Sequence, residues 1–202
     1  MNDIPKYEIF DDVLTKEEQD NLNNIFFDSY FPFYVSEEQD HQSVDDFTYK
    51  NQADENTVES QIMVHTFIND ISDTNKEISK FYEKIEHILQ KFYEKTKIKF
   101  SGIIRCKLNL QYRVADYDKN NYQCPHVDQD CKHKVLIYYP YTSDGDIFLF
   151  NQLEPKKYEV VDRIKPIGGR FLLMDKMFHA NQPPILNKTR MSLNYNLVGD
   201  YK

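Results

Sequence analysis

The chain has 202 residues, of which 40% are hydrophobic and 14% aromatic, and its formal net charge is −8. This length and composition suit one globular domain with a sizeable core, and no apolar run is long enough to cross a membrane. The start of the chain lacks the charged and apolar regions of a signal peptide, and the three cysteines without a Cys-x-x-Cys spacing argue against a disulfide framework or a thiolate zinc site. We therefore predict a soluble, cytoplasmic protein.

The negative charge is concentrated in the first half of the chain. Residues 1–100 contain 10 Lys or Arg against 22 Asp or Glu, whereas residues 101–202 contain 15 against 11. Within the first half, residues 36–60 contain eight acidic residues and a single lysine. This segment is predicted to be a charged, turn-rich loop, and two interpretations stay open: a solvated loop, or a lid that recruits a basic peptide.

The first elements are a short strand and a helix. Residues 7–10 are predicted to form the strand, and Thr15 with Glu18 forms a capping box that begins the helix. The helix should end before Phe31, because Pro32 disfavours the helical conformation at the residue that precedes it. The apolar residues 61–68 fit either a strand or a helix, since their periodicity does not decide.

The clearest helical pattern follows. Apolar residues from Ile78 to Tyr93 recur at steps of three and four, after a cap at Asp73 or Thr74. We predict one helix here, packed on the outside of a sheet.

After Lys99 the pattern changes to short apolar runs separated by turns, which indicates many strands. The first is predicted over 103–112 and alternates strictly: one face has Cys106, Leu108, Leu110 and Tyr112, and the other has Arg105, Lys107, Asn109 and Gln111. Further strands are predicted over 135–139, 147–150, 158–162, 170–174 and 191–197. The turn before residue 147 contains Gly145, which we expect to have a positive φ angle.

A metal-binding pattern lies between the first two of these strands. Cys124-Pro125-His126-Val127-Asp128 is predicted to be an extended strand, in which the imidazole of His126 and the carboxylate of Asp128 point to the same side. A third ligand, His179, follows 53 residues after His126. Two imidazoles and one carboxylate form the facial triad of non-haem Fe(II) oxygenases, which leaves coordination positions open. The sequence therefore predicts a metal site of His126, Asp128 and His179.

An anion-binding pattern follows the distal histidine. Arg190 and Ser192 begin 11 residues after His179 and lie on one face of the next predicted strand. A planar guanidinium is suited to gripping a carboxylate in bidentate fashion. We predict that this pair holds the far carboxylate of a dicarboxylic cosubstrate.

With these residues in this order, the chain resembles the Fe(II)- and 2-oxoglutarate-dependent oxygenases, in particular their prolyl-hydroxylase-like branch. The resemblance covers residues 101–199, and it includes the segments 137–139, 144–150 and 168–173. It implies a mainly β fold with flanking helices (α+β), in which N-terminal helices pack outside a double-stranded β-helix, a jelly-roll core like that of the cupins. We predict a single oxygenase domain, in which residues 1–100 support the core formed by 101–202.

The resemblance also implies the cosubstrate and its contacts. Fe(II), 2-oxoglutarate and O₂ would meet at the triad, with ascorbate as an accessory reductant, and the products of the cosubstrate would be succinate and CO₂. Tyr139 and Tyr112 match tyrosines that contact 2-oxoglutarate in this branch, and Tyr122 competes with Tyr112 for that role. A carboxylate at Asp128 favours hydroxylation, because halogenating relatives have a small residue there.

The predicted activity is hydroxylation of a C–H bond in a protein side chain, including prolyl residues, or in a small metabolite. The acidic first half argues against a nucleic-acid substrate. Two other classes stay open: a zinc hydrolase that uses the same triad to activate water, and a non-catalytic jelly-roll module. Arg190 and Ser192 argue against both, because neither class needs a buried carboxylate anchor.

Overall fold

A computed structural model describes residues 6–35, 52–58, 60–70, 76–114 and 117–199, and these residues form a mainly β structure. The strands are β1 (Tyr7–Phe10), β2 (Tyr34–Val35), β3 (Ile62–Asp70), β4 (Lys76–Ile78), β5 (Gly102–Tyr112), β6 (Lys134–Tyr138), β7 (Ile147–Glu154), β8 (Lys157–Ile164), β9 (Phe171–Asp175), β10 (Phe178–Asn181) and β11 (Thr189–Val198). The α-helices in these residues are α1 (Lys16–Phe26) and α2 (His87–Thr96).

Two antiparallel sheets are formed by these strands. In the described residues the larger sheet has the order β1-β9-β6-β11-β5-β3-β2, with β4 beside β3, and the smaller has the order β10-β7-β8. Apolar side chains of the two sheets pack together, as Val135 and Ile137 of β6 do with Ile147 and Leu149 of β7. This is the predicted double-stranded β-helix, and the strand predicted from residue 103 to 112 is confirmed as β5.

Strands β5 and β11 each have one polar face and one apolar face. β11 pairs with β5 so that Arg190 lies opposite Gln111 and Asn196 lies opposite Arg105. Alternation therefore places a row of polar side chains on one face of both strands. The other face is apolar, with Leu108, Leu193 and their neighbours in the main core cluster. This polar row faces the smaller sheet, which carries His179 on β10.

The helix α1 confirms the capping-box prediction. The Thr15 side chain accepts from the Glu18 backbone N–H, and the Glu18 carboxylate accepts from the Thr15 backbone N–H. Leu22 and Phe26 are buried from this helix and join the core on the outer side of the larger sheet.

The single helix predicted from Ile78 to Tyr93 is wrong. Residues Lys76–Ile78 form β4 on the edge beside β3, Tyr82–Lys84 form one 3₁₀ turn, and α2 begins only at His87. The proposed caps, Asp73 and Thr74, lie outside the described residues. The ambiguous stretch from residue 61 to 68 is a strand, β3.

Gly145 is required for a reason other than the predicted one. It is not among the glycines with positive φ in the described chain, which are Gly169 and Gly199. Instead, a Cβ at Gly145 would lie 2.8 Å from Cδ of Arg190 and would also clash with the backbone oxygen of Gln182. The glycine therefore permits close approach of this turn to the Gln182 backbone and to the Arg190 side chain.

Three sequence predictions extend beyond these elements. Most of the acidic segment 36–60 lies outside the described residues, so its role as lid or loop stays a prediction. The assignment of the chain to a single oxygenase domain also stays a prediction. Across the described ranges, no helix has the length and apolar character needed to span a membrane.

Candidate metal centre and anion pocket

His126, Asp128 and His179 come together between the two sheets. One potential ligand atom from each lies within 4.8 Å of the others, and no other such group of three occurs among the described residues. The Nε2 atom of each histidine lies 3.8 Å from a different carboxylate oxygen of Asp128. The structure therefore places the three predicted ligands around one point.

The two histidines are held by backbone contacts. His126 and His179 form an isolated antiparallel bridge, in which the N–H of each donates to the carbonyl of the other at 3.0 Å. His179 lies on β10, whereas His126 lies in a loop and not in the extended strand that the sequence suggested. The side chain of His126 is 29% exposed and that of His179 is 2% exposed, so one side of the centre is open.

Both rings are oriented with Nε2 toward Asp128. The Nδ1 of His126 lies 2.9 Å from the carbonyl of Cys124, and the Nδ1 of His179 lies 3.1 Å from that of Met177. A carbonyl can only accept, so Nδ1 is the donor in each ring, and in the neutral form of such a ring Nε2 has the lone pair. In this arrangement a histidine can bind a metal through Nε2, because the carbonyl holds its Nδ1–H.

The charges of the centre favour a cation. Burial lowers the pKa of His179 to about 4, with His126 contributing, so His179 is neutral at pH 7. Burial alone raises the pKa of Asp128, but nearby His179 and Arg105 outweigh it, and the pKa of Asp128 lies well below its usual range. A buried carboxylate beside two imidazoles is a donor set that suits Fe(II).

Arg190 is buried on the polar face of β11. Its Nε donates to the carbonyl of Gly145 at 2.6 Å, its Nη1 to Oε1 of Gln111 at 2.9 Å, and its Nη2 to Oδ1 of Asn181 at 3.0 Å. All three acceptors are neutral, and within the described ranges Arg190 forms no ion pair. Three of its five N–H groups are used, which leaves one on each Nη for an anion.

Two unpartnered hydroxyls belong to the same region. The Oη of Tyr139 and the Oγ of Ser192 are buried and have no hydrogen-bond partner in the part of the chain that is described. The Arg190 guanidinium lies over the Tyr139 ring, 5.5 Å from its centroid. A buried cation without an anion, beside free hydroxyls, is an incomplete set of contacts that a carboxylate would complete.

Comparisons with known proteins identify the fold. No family model and no curated protein matches the sequence. Among solved structures, a 2OG-Fe(II) oxygenase family oxidoreductase from Burkholderia pseudomallei superposes with a TM-score of 0.65 at 12% identity, covering 95% of this chain and 85% of that one. The chain has the fold of the 2OG-Fe(II) oxygenases. The resemblance predicted from the sequence is thereby confirmed at the level of fold.

Two prolyl hydroxylases share this oxygenase fold. One, from Trichoplax adhaerens and in complex with a peptide fragment of the hypoxia inducible factor oxygen degradation domain, has a TM-score of 0.60 at 13% identity over 95% of this chain and 83% of its own. The other, a prolyl-4-hydroxylase from Pseudomonas putida, has a TM-score of 0.52 at 9% identity over 96% of this chain and 92% of its own.

Gln111, and not Tyr112, contacts Arg190. Tyr112 is 52% exposed and lies on the opposite face of β5, whereas Gln111 is buried and accepts from Arg190. Gln111 also donates to Gln123, which precedes the metal motif. Sequence reasoning missed Gln111, although its alternation with Arg105 on the polar face was a signal that could have found it.

Tyr122 does not take the place of Tyr112. Its hydroxyl donates to Asp54 at 2.6 Å, and its ring packs on Phe148 and Phe150, on the face of the smaller sheet that points away from His179. Burial raises its pKa. Tyr139 therefore stays the tyrosine proposed to contact 2-oxoglutarate.

The remaining histidines are outside the triad. His65 is buried, with its ring nitrogens 2.9 Å from the carbonyl of Pro32 and 3.0 Å from Oγ of Ser79, which is a structural role. His133 is also buried and lies 2.9 Å from the carbonyl of Cys131. His87 begins α2, and His41 lies outside the described residues.

Proposed function

We propose that the chain is an Fe(II)- and 2-oxoglutarate-dependent dioxygenase that hydroxylates a C–H bond of a protein side chain or a small metabolite. The observation that carries this proposal is the pairing of the triad with Arg190. A zinc hydrolase would need the triad alone, whereas Arg190 is a buried cation that has neutral acceptors and no ion pair within the described residues. A strand links the two, because Asn181, which accepts from Arg190, follows His179 by two residues on β10.

The residues have separate roles in this proposal. His126, Asp128 and His179 would hold Fe(II), and Arg190, with Ser192 and Tyr139, would bind the far carboxylate of 2-oxoglutarate. When bound, Fe(II) with the cosubstrate and O₂ supplies the oxidising chemistry, with succinate and CO₂ as coproducts. The protein would orient 2-oxoglutarate by holding one end at the triad and the other at Arg190. Because Arg190 is buried, water would be excluded from the far carboxylate of 2-oxoglutarate.

A spectroscopic experiment tests this function. Anaerobic protein loaded with Fe(II) should develop the weak visible charge-transfer band of a chelated 2-oxo acid when 2-oxoglutarate is added. The band is expected because the triad leaves coordination positions open for the cosubstrate. Aerobic protein should then consume 2-oxoglutarate, slowly without its substrate. Absence of both band and turnover in protein that binds Fe(II) would favour the hydrolase or the binding module.

The substrate belongs to the same proposal. Support for a peptide comes from the similar Trichoplax adhaerens enzyme, which was solved with a peptide fragment bound. The acidic first half of the chain is unsuited to phosphates and suits basic partners. We expect proline-containing basic peptides or free amino acids to stimulate 2-oxoglutarate turnover more than single-stranded or duplex nucleic acid does. His179→Ala protein is the negative control for each of these compounds. Strong stimulation of turnover by nucleic acid alone would contradict the expectation.

A further inference from the structure

A closed set of hydrogen bonds surrounds the carboxylate of Asp128. The Nη2 of Arg105 donates to Oδ1 of Asp128 at 2.8 Å, and the Nδ2 of Asn196 donates to Oδ2 at 2.8 Å. The Nε of Arg105 also donates to Oδ1 of Asn196 at 2.9 Å. Each carboxylate oxygen therefore receives one donor from the protein and faces one histidine Nε2 on another side.

The sheet fixes the position of this clamp, by which we mean Arg105 and Asn196. The two residues lie opposite each other on β5 and β11, on the polar face, and the pairing of these strands changes register directly after Asn196. The Asp128 side chain is 5% exposed and that of Arg105 is 19% exposed. The carboxylate thus has a rigid cationic partner on strands that do not carry any of the three ligands.

The two members of the clamp differ in what they supply. Asn196 is neutral, so it can orient the carboxylate but cannot compensate its charge. Arg105 supplies a full positive charge at hydrogen-bonding distance. A buried carboxylate that loses a cationic partner is strongly destabilising, whereas a divalent ion placed beside that carboxylate would supply the missing charge.

We propose that Arg105 stands in for the metal charge in the metal-free protein, while Asn196 orients Asp128 for the metal. This inference rests on the proposed metal centre. It implies that Arg105 and the metal compete for the charge of Asp128, so the metal-free chain stays folded and its metal remains exchangeable. Arg105 and Asn196 are positioning residues, and they should affect metal affinity in opposite directions.

The test uses Co(II), whose visible absorption reports binding without turnover. Arg105→Gln should lower the melting temperature of the metal-free protein, yet tighten Co(II) binding about tenfold or more, because a competing cation has been removed. Its rise in melting temperature on Co(II) addition should therefore exceed that of wild type. Asn196→Leu should weaken Co(II) binding about 10-fold to 100-fold, as is usual for a lost partner of a metal ligand.

Two further variants control the comparison. Arg170 makes a bidentate and more exposed ion pair with Asp11, with both distances 2.9 Å, and this pair contains none of the three ligands. Arg170→Gln should leave Co(II) affinity unchanged. Arg105→Lys keeps the positive charge. The melting temperature of this metal-free variant should be close to that of wild type, and its affinity for Co(II) should not increase.

The outcomes separate the two proposals. If wild type fails to bind Co(II), the proposed metal centre is wrong. If wild type binds Co(II) but Arg105→Gln and Asn196→Leu weaken binding alike, Arg105 only orients Asp128 and the stand-in role is wrong. The same conclusion follows if Arg105→Gln and Arg170→Gln lower the metal-free melting temperature equally without any change in Co(II) affinity.

Discussion

His179→Ala is expected to abolish Fe(II)-dependent consumption of 2-oxoglutarate and to leave the chain folded. His179 supplies one of three ligand atoms, and its ring is oriented by the Met177 carbonyl with Nε2 toward Asp128. Two remaining ligands, His126 and Asp128, hold a divalent ion poorly. Turnover should therefore fall to the level of metal-free protein, as measured by 2-oxoglutarate depletion at saturating Fe(II).

The fold should survive this change because the local structure depends on the backbone. The bridge between residues 126 and 179 is made by main-chain N–H and C=O groups, which alanine retains. Circular dichroism and the melting temperature of the metal-free protein check this point. Co(II) titration should show that the variant has lost affinity, which separates a lost ligand from a lost fold.

His65→Gln is the matched control for this experiment. His65 is also buried, but its ring contacts the Pro32 carbonyl and Ser79 and packs among aromatic rings instead of joining the triad. This variant should lose stability and keep Fe(II)-dependent turnover in the folded fraction. Retention of turnover in His179→Ala would remove His179 from the ligand set.

The sequence identified the residues that come together at the candidate site better than it identified the residues that support them. His126, Asp128, His179 and Arg190 could be found because metal and carboxylate ligation require particular side chains in a particular order. Their supporting residues carry no such signature. Asn181 and Asn196 are ordinary strand residues until the sheets bring them to Arg190 and Asp128.

Two errors in the sequence predictions have physical causes. Apolar spacing from Ile78 to Tyr93 fits one helix, but pairing with β3 draws residues 76–78 into a strand, so tertiary contacts override local propensity. Tyr112 was assigned by resemblance, although alternation along β5 placed it on the face opposite Gln111. A shift of one residue along a strand exchanges the two faces, so alternation was the better guide.

Arg190→Ala is expected to weaken 2-oxoglutarate binding by about 2 to 5 kcal/mol, because the far carboxylate of the cosubstrate would be left buried without a cation. This corresponds to about a 30-fold to 4,000-fold increase in Kd. The measurement is anaerobic titration of 2-oxoglutarate into Fe(II)-loaded protein, followed by the visible band. Fe(II) or Co(II) affinity should change little, since Arg190 contacts none of the three ligands directly.

Conservative variants distinguish a cosubstrate anchor from a structural residue. Arg190→Lys keeps the charge but cannot reproduce the forked contacts to Gln111 and Asn181, so it should recover only part of the affinity. Ser192→Ala removes only an unpartnered hydroxyl, and it should weaken 2-oxoglutarate binding by about 1 kcal/mol without loss of stability. Lys91→Gln, which breaks the ion pair between Lys91 of α2 and Glu18 of α1, should leave the titration unchanged.

The expected pattern is thus a graded loss of cosubstrate affinity at constant metal affinity. Arg190 has three neutral acceptors and no ion pair within the described residues, so a bound carboxylate would be its ion-pair partner. If Arg190→Ala lowered the affinities for metal and 2-oxoglutarate equally, Arg190 would act mainly by holding Asn181 and β10 in place. The single substitution Ser192→Ala would then decide, because it leaves those contacts intact and should still weaken the binding of 2-oxoglutarate alone.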